Sequence, residues 1–245
     1  MTDQGLQFPK FYVTAPSPCP YLDGKTERKV FTELRGPDAR ALNEALGRVG
    51  FRRSQSVVYR PACEGCSECV SVRVRANDYK PSRSQRRIAK ANTDLKSEIR
   101  PPVVTEEQYE LLQSYLLARH GDGTMADMTA EEYRDMVETS PVPTILVEYR
   151  RAIDSKLMAV ALTDELSDGL SMIYSFFDTT EAQRSLGTYL IGDHIRRAQY
   201  ANQPYVYLGY WVKESPKMSY KGRFRPLERL GQNGWYDVTP EDAPK

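Results

Sequence analysis

The chain lacks any long apolar run: nowhere in its 245 residues do the roughly 18 consecutive apolar residues of a membrane span occur. Its opening, MTDQGLQFPKFYV, has no basic segment leading into an apolar one, so no secretory leader is expected and the reading is a soluble cytoplasmic protein without membrane partners. Net charge is nearly absent, with 34 Lys and Arg against 33 Asp and Glu, so bulk composition announces neither a nucleic-acid binder nor an acidic tail. Histidine is scarce. His120 and His194 are the only two, neither with a visible partner, and each is read as an ordinary surface or helix residue rather than a base. No repeat of fixed period and no low-complexity tract is present, which argues against a solenoid or array.

What is present is unevenly distributed. Ser71 to Arg100 carries nine basic and three acidic side chains, whereas Pro101 to Leu170 carries five basic and fourteen acidic, so one segment can face phosphate and its neighbour would repel it. Tyrosine is abundant, 16 against 7 Phe, which supplies stacking area with a polar tip. Helical spacing marks Pro37 to Arg48, a basic helix from Ser82 to about Leu95, a capped segment from Thr105 with Tyr109, Leu112, Leu116 and Leu117 as its apolar face, a short helix near Tyr133 to Val137, and Ser185 to Ala201. Strand patterns fall at Phe11–Thr14, Ser56–Arg60, Val70–Val74, Thr144–Tyr149, Leu157–Thr163, Leu170–Phe176 and Tyr205–Val212. The expectation is an α+β protein whose second half is a sheet with a helix packed behind it.

Four groups of residues can carry chemistry. Cys63, Cys66 and Cys69 form two consecutive C-x-x-C spacings, with Gly65 allowing the backbone to wrap and Cys19 upstream in a Pro-bounded loop. A four-thiolate set would suit zinc or an iron-sulfur cluster; free structural thiols are the plainer alternative, and a disulfide is disfavoured without a leader. Arg83, Arg86, Arg87 and Lys90 fall on one helical stripe, which reads as a phosphate clamp or as a solvated basic face. The stretch Tyr174 to Asp178, followed by Arg184, Ser185, Leu186 and Gly187 at a helix start, has the form of a strand leading into an anion cradle, or of an ordinary strand-to-helix turn. Finally Tyr205, Tyr207 and Trp211 alternate along a strand, and Lys217, Lys221, Arg223 and Arg225 follow it, placing stacking groups beside cations; an aromatic core strand is the rival reading.

Taken with Ser17–Leu22, these blocks resemble, in order and over nearly the whole chain, the aminoacyl-tRNA-protein transferases related to arginyltransferase, and in particular their short bacterial members that donate leucine. The resemblance implies transfer of an amino acid from tRNA to proteins with N-terminal Asp or Glu, marking them for N-degron (N-end rule) degradation. Its partners would be leucyl-tRNA and those protein termini. It also implies a GNAT-like acyltransferase fold, a mixed sheet flanked by helices, over residues 104–245, after a cysteine-containing basic region over 1–103. The GNAT acyl-CoA loop R/Q-x-x-G-x-G/A is kept at Gly187 but has Tyr189 at its second Gly position, which leaves room for a different acyl carrier. Cys19, Cys63, Cys66 and Cys69 are the implied metal or cluster ligands, and no cofactor is required for the transfer chemistry.

On this reading Tyr174, Asp178, Ser185, Tyr207 and Tyr210 line the transfer site, with Asp178 as proton acceptor or amine anchor. Arg83, Arg86, Arg87, Leu186, Gly187, Trp211 and Lys217 meet the tRNA, and Lys221, Arg223 or Arg225 supplies a cation for the acceptor's carboxylate side chain. The alternatives are an arginine donor, a CoA-dependent acetyltransferase, and a non-catalytic tRNA-binding protein with a cysteine-metal module.

Overall fold

The computed structural model describes residues 9–120 and 127–239. The chain begins with the short strands β1 (Tyr12–Val13), β2 (Ser17–Pro18) and β3 (Thr26–Glu27), then β4 (Lys29–Glu33), helix α1 (Ala39–Arg48), β5 (Arg52–Ser54), β6 (Val57–Pro61) and β7 (Val70–Arg75). Helix α2 (Arg83–Ala91), strand β8 (Leu95–Arg100) and helices α3 (Glu106–His120) and α4 (Ala130–Glu138) follow. The remainder comprises β9 (Thr144–Arg151), β10 (Leu157–Leu166), β11 (Gly169–Phe177), α5 (Leu186–Tyr200), β12 (Tyr205–Trp211), a 3₁₀ turn at Ser219–Arg223, β13 (Leu227–Gly231) and β14 (Gly234–Asp237).

Eight strands form one mixed sheet in the order β14-β13-β7-β12-β11-β10-β9-β8, antiparallel throughout except where β12 runs parallel to β11. Both faces are covered. Along β10, Ala159 and Ala161 join a core with β7, β12 and α5, while Val160 and Leu162 join a second core with Leu112 and Leu116 of α3 and Tyr133 and Val137 of α4. Period-two alternation therefore supplies two apolar faces, and the all-apolar run of β10 is what a doubly covered central strand requires. A smaller antiparallel sheet, β1-β4-β6-β5, lies at the N-terminal side with α1.

The mixed sheet flanked by helices matches the expected architecture, but it draws strands from both sides of residue 103, since β7 and β8 belong to it. The basic helix ends at Ala91 rather than near Leu95. Buried Asn92 closes it, its side-chain amide donating to Ile88 O and to Arg184 O at 2.9 Å each, and Leu95 begins a strand that the sequence reading did not contain. Leu117, placed on the apolar face of α3, is 68% exposed. His194 is not a surface residue: it is fully buried, its Nδ1 donating to Leu190 O at 2.8 Å and its Nε2 accepting from Thr163, and burial lowers its pKa to about 4. The side chain of His120 lies outside what the structure describes. Among the described residues no helix is long and apolar enough to cross a membrane.

The small sheet is fastened to the large one by a buried ion pair. Arg53 Nε and Nη2 each meet the Asp164 carboxylate at 2.6 Å, both side chains are 1% exposed, and Thr144 adds a third bond to Asp164. Breaking such a pair leaves an uncompensated charge in the interior. Asp164→Asn is expected to lower the unfolding free energy by about 3–5 kcal/mol in urea titration, and the double replacement Arg53→Met with Asp164→Leu to cost less than the single change. Equal losses would show that the charges do not act as a pair.

Candidate active site

Strands β11 and β12 are neighbours only at their beginnings, where Gly169, Leu170 and Ser171 register with Tyr205, Val206 and Tyr207. Gly169 permits that closeness: a Cβ there would stand 2.1 Å from Tyr205 O. Beyond Ser171 the two strands part. A bulge at Tyr207/Gly209, with Gly209 at φ +71°, turns β12 aside. Parting two central strands exposes carbonyls that need donors, and two cations provide them. Arg52 Nη2 donates to Met172 O at 2.6 Å and to Ile173 O on β11, while Lys221 Nζ donates to Leu208 O at 2.8 Å and Tyr210 O at 2.7 Å on β12. Gly209 makes room for Arg52, because a Cβ there would fall 1.3 Å from Arg52 Nη1 and the guanidinium would have to move.

Aromatic groups surround this opening. Tyr115 of α3 meets the Phe177 ring edge-on at 5.0 Å, and Arg119 lies over that ring at 5.7 Å. Phe177 in turn packs beside Gly187, 3.3 Å from where a Cβ would stand, at the first turn of α5. Tyr174 turns a buried hydroxyl inward without a partner, and burial raises its pKa. Tyr220, beside Lys221, is raised to about 12 by burial and by Tyr115, with Arg119 and Arg52 acting the other way. Burial and the Arg52 charge press the Lys221 ammonium down to about 7.

The expected site residues divide. Tyr207 and Tyr210 hold the scaffold: Tyr207 donates to Asp168 at 2.9 Å and accepts from Arg73, and Tyr210 donates to Gly50 O and Tyr59 O on the small sheet. Asp178 is engaged too. Burial raises its pKa, but Lys156 at 2.7 Å and the Thr180 hydroxyl and amide outweigh that and lower it, so it is held ionised at the end of β11. Ser185, at φ +50°, is exposed at the turn into α5, Leu186 points into the core, and Trp211 is buried with its indole N–H unpartnered. Arg225 is tied to Val238 O, while Lys217 and Arg223 are exposed.

Two basic blocks that are distant in sequence come together. Gln85, in the capping box that opens α2, donates to Arg223 O at 3.1 Å, so the exposed stripe of Arg83, Arg86 and Arg87 borders the turn that carries Lys221. Arg52, Tyr115, Arg119 and Tyr220 were not read from sequence as site residues. The available clue was Gly209, a glycine within an otherwise aromatic strand, which marks close approach of another group.

The cysteines also gather. Cys19 and the loop Cys63–Cys69, with Gly65 at φ +67°, are all half-buried and free of disulfides. Burial, then the neighbouring Cys19, Cys63 and Cys66, raise the Cys69 thiol to about 12. Four soft donors crowded together fit a thiophilic ion or cluster in chemistry, although among the described residues no three His, Cys, Asp or Glu side chains stand in a metal-holding arrangement. The loop walls an open cleft of about 930 Å³ shared with Arg60, Trp211, Lys213 and Arg229.

Residues 17–87 match the arginine-tRNA-protein transferase N terminus and residues 107–231 its C terminus. The chain belongs to the arginine-tRNA-protein transferase family. Within that family it is 57% identical, over 97% of its length and 99% of the relative's, to an aspartate/glutamate leucyltransferase of Azorhizobium caulinodans. It is 56% identical, over 97% and 95% respectively, to the aspartate/glutamate leucyltransferase of Sphingopyxis alaskensis. Among solved structures, L-PGS from Bacillus licheniformis aligns with a TM-score of 0.46 at 10% identity, over 74% of this chain and 54% of that one.

The low pKa of Lys221 fixes the sign of a pH effect. In the folded state it loses its proton near 7 and in the unfolded chain near 10.5, so the unfolded state holds more protons between those values and stability rises with pH across that window. Urea titrations at pH 7, 8.5 and 9.5 should show a steeper rise for the native protein than for Lys221→Met. Parallel slopes would mean that the ammonium is not desolvated.

Proposed function

We propose that this chain is an aspartate/glutamate leucyltransferase: it moves leucine from leucyl-tRNA to the α-amino group of proteins beginning with Asp or Glu, as an N-degron enzyme of the cytoplasm. The observation that carries the reading is identity of 56–57% over nearly the full length to enzymes of that name. The parallel strands β11 and β12, parted beyond their beginnings and connected through α5, fit the GNAT-like acyltransferase arrangement.

The chemistry asks for positioning above all. The acceptor amine attacks the ester carbonyl, the new N–C bond forms as the C–O bond to the terminal ribose of the tRNA breaks, and the amine proton ends on the departing ribose oxygen. An α-amino group of pKa about 7.7–8.0 is already partly neutral, so holding it against the ester supplies most of the acceleration. The opening between β11 and β12 is the place for that meeting, with the inward Tyr174 hydroxyl and the first amides of α5 able to bond to developing charge. Asp178, being ionised and bonded, serves better as an anchor of Lys156 and the Thr180 turn than as the proton acceptor. The stripe Arg83, Arg86 and Arg87, with Arg223 and Lys217, offers exposed cations to the tRNA backbone.

Transfer of radiolabelled leucine and arginine, each supplied on tRNA, to peptides beginning Asp, Glu, Asn or Lys tests the reading. Leucine passed to the Asp and Glu peptides alone is expected. Arginine transfer would keep the reaction and change the donor, and no transfer by folded protein would leave the tRNA-binding alternative.

Cys19, Cys63, Cys66 and Cys69 are proposed to hold zinc or an iron-sulfur cluster that fastens the loop beside the 930 Å³ cleft. Bound as thiolates, the four would relieve their mutual repulsion on one cation. Elemental analysis of protein isolated without chelator should give stoichiometric zinc or iron, with the four thiols unreactive until the metal is removed. Metal-free protein with four reactive thiols would contradict the assignment.

A further inference from the structure

Several inward-turned arginines of this protein pair with acids. Arg53 has Asp164, Arg73 has Glu228 at 2.6 Å, Arg184 has Asp94 at 2.9 Å and Arg197 has Asp193 at 2.8 Å. Arg52 has carbonyls only. Its Nη1 is buried with no partner, although the bulge and the glycine at 209 exist in a form that admits that nitrogen. The neighbouring cation is in the same position, for Lys221 has two carbonyls and no carboxylate, which leaves one of its three ammonium donors for another group. The Arg52 guanidinium held inside the strand opening without a counter-ion is costly, and Lys221, whose ammonium is pressed down to about 7 beside it, keeps its proton more readily once an anion arrives with a ligand to balance both.

A cavity of about 40 Å³ lies against Arg52 and Gly209. It reaches Ser171 and Tyr207 where the strands part, but Lys221 is not among its lining residues, and it has room for a group of only a few heavy atoms. The acids on its other walls are already engaged: Asp164 by Arg53, Asp168 by the Tyr207 hydroxyl and Glu44 by Ser167.

Building on the leucyltransferase reading, we propose that Arg52, with Lys221 beside it, binds the side-chain carboxylate of the acceptor's N-terminal Asp or Glu and so sets acceptor specificity. The guanidinium is fastened by Nη2 to β11, and its Nη1, buried against Gly209 without a partner, is the charge-assisted donor left for a carboxylate. Discrimination against Asn and Gln follows, since an amide brings no charge to balance the pair and directs an N–H₂ toward donors.

The test compares kcat/KM for isosteric peptides beginning Asp and Asn, and Glu and Gln, in the full-length protein and in Arg52→Gln and Arg52→Lys. In Arg52→Gln the loss on Asp and Glu peptides should exceed that on Asn and Gln peptides by about 30-fold or more, and Arg52→Lys should recover part of the preference. Gly209→Ala gives an independent route, because its methyl displaces Nη1 while Arg52 remains in the sequence, and the same narrowing of preference is expected. Equal losses on all four peptides in Arg52→Gln and Gly209→Ala would make Arg52 a structural strut and overturn the proposal. An unchanged acceptor preference with weaker filter binding of leucyl-tRNA would assign the cations to phosphate instead, also overturning it. Native protein that transfers leucine to none of the peptides would instead count against the transferase reading itself.

Discussion

The parting of β11 from β12 is the constraint on which the rest of the structure depends. A sheet that opens in its middle strips backbone carbonyls of their ladder partners, and buried carbonyls must find other donors. Here the donors are two side chains from opposite ends of the chain, Arg52 from the small N-terminal sheet and Lys221 from the turn after β12. The same four bonds that satisfy the backbone bring a guanidinium and an amine into the opening. Structural repair and the proposed capacity to receive an anionic substrate would thus be one arrangement.

This explains why the N-terminal sheet is more than an appendage. It is held over β12 and β10 by the Arg53–Asp164 pair, by the Tyr210 hydroxyl reaching Gly50 and Tyr59, and by the Trp235 indole donating to Arg48 O. Each contact fixes the height and angle of β5, and β5 carries Arg52. A loss of rigidity in that sheet would therefore be felt between β11 and β12, since charge-assisted bonds weaken steeply as their geometry drifts. On the other side α2 brings its basic stripe to the Arg223 segment, so the surface best suited to phosphate adjoins the opening rather than lying remote from it.

Much of the fold was legible. The alternation of Val70, Val72 and Val74, the capping boxes at Ser82, Thr105 and Thr129, and the apolar strands from Thr144 to Phe176 are local patterns, and they appear where local physics puts them. Where the reading fell short, the cause is tertiary. Asn92 ended a helix that charge pattern extended, because its amide found buried carbonyls, one of them from Arg184, 92 residues away. His194, read as a surface or helix residue, is a residue of helix α5, but a buried one whose partners Thr163 and Leu190 come from β10 and from its own helix. The aromatic strand Tyr205–Trp211 was open to two readings, a stacking surface or an aromatic core strand, and the second describes Tyr207, Tyr210 and Trp211, which are buried, with the two tyrosine hydroxyls on Asp168, Gly50 and Tyr59.

The sequence by itself determined the alternation that gives two apolar sheet faces, the helix starts, the clustered thiols, the basic stripe and the set of blocks that identifies the family. These are properties of neighbours along the chain, whose spacing alone specifies which side a residue faces. Only the tertiary structure decided that Arg52 enters the opening between two strands more than a hundred residues further on, that Gly209 is there to admit it, and that Lys221 answers from the other side. The physical reason is that charge compensation is a long-range account. Whether an arginine is paired, exposed or left waiting for a ligand depends on which distant acids and carbonyls the fold carries to it.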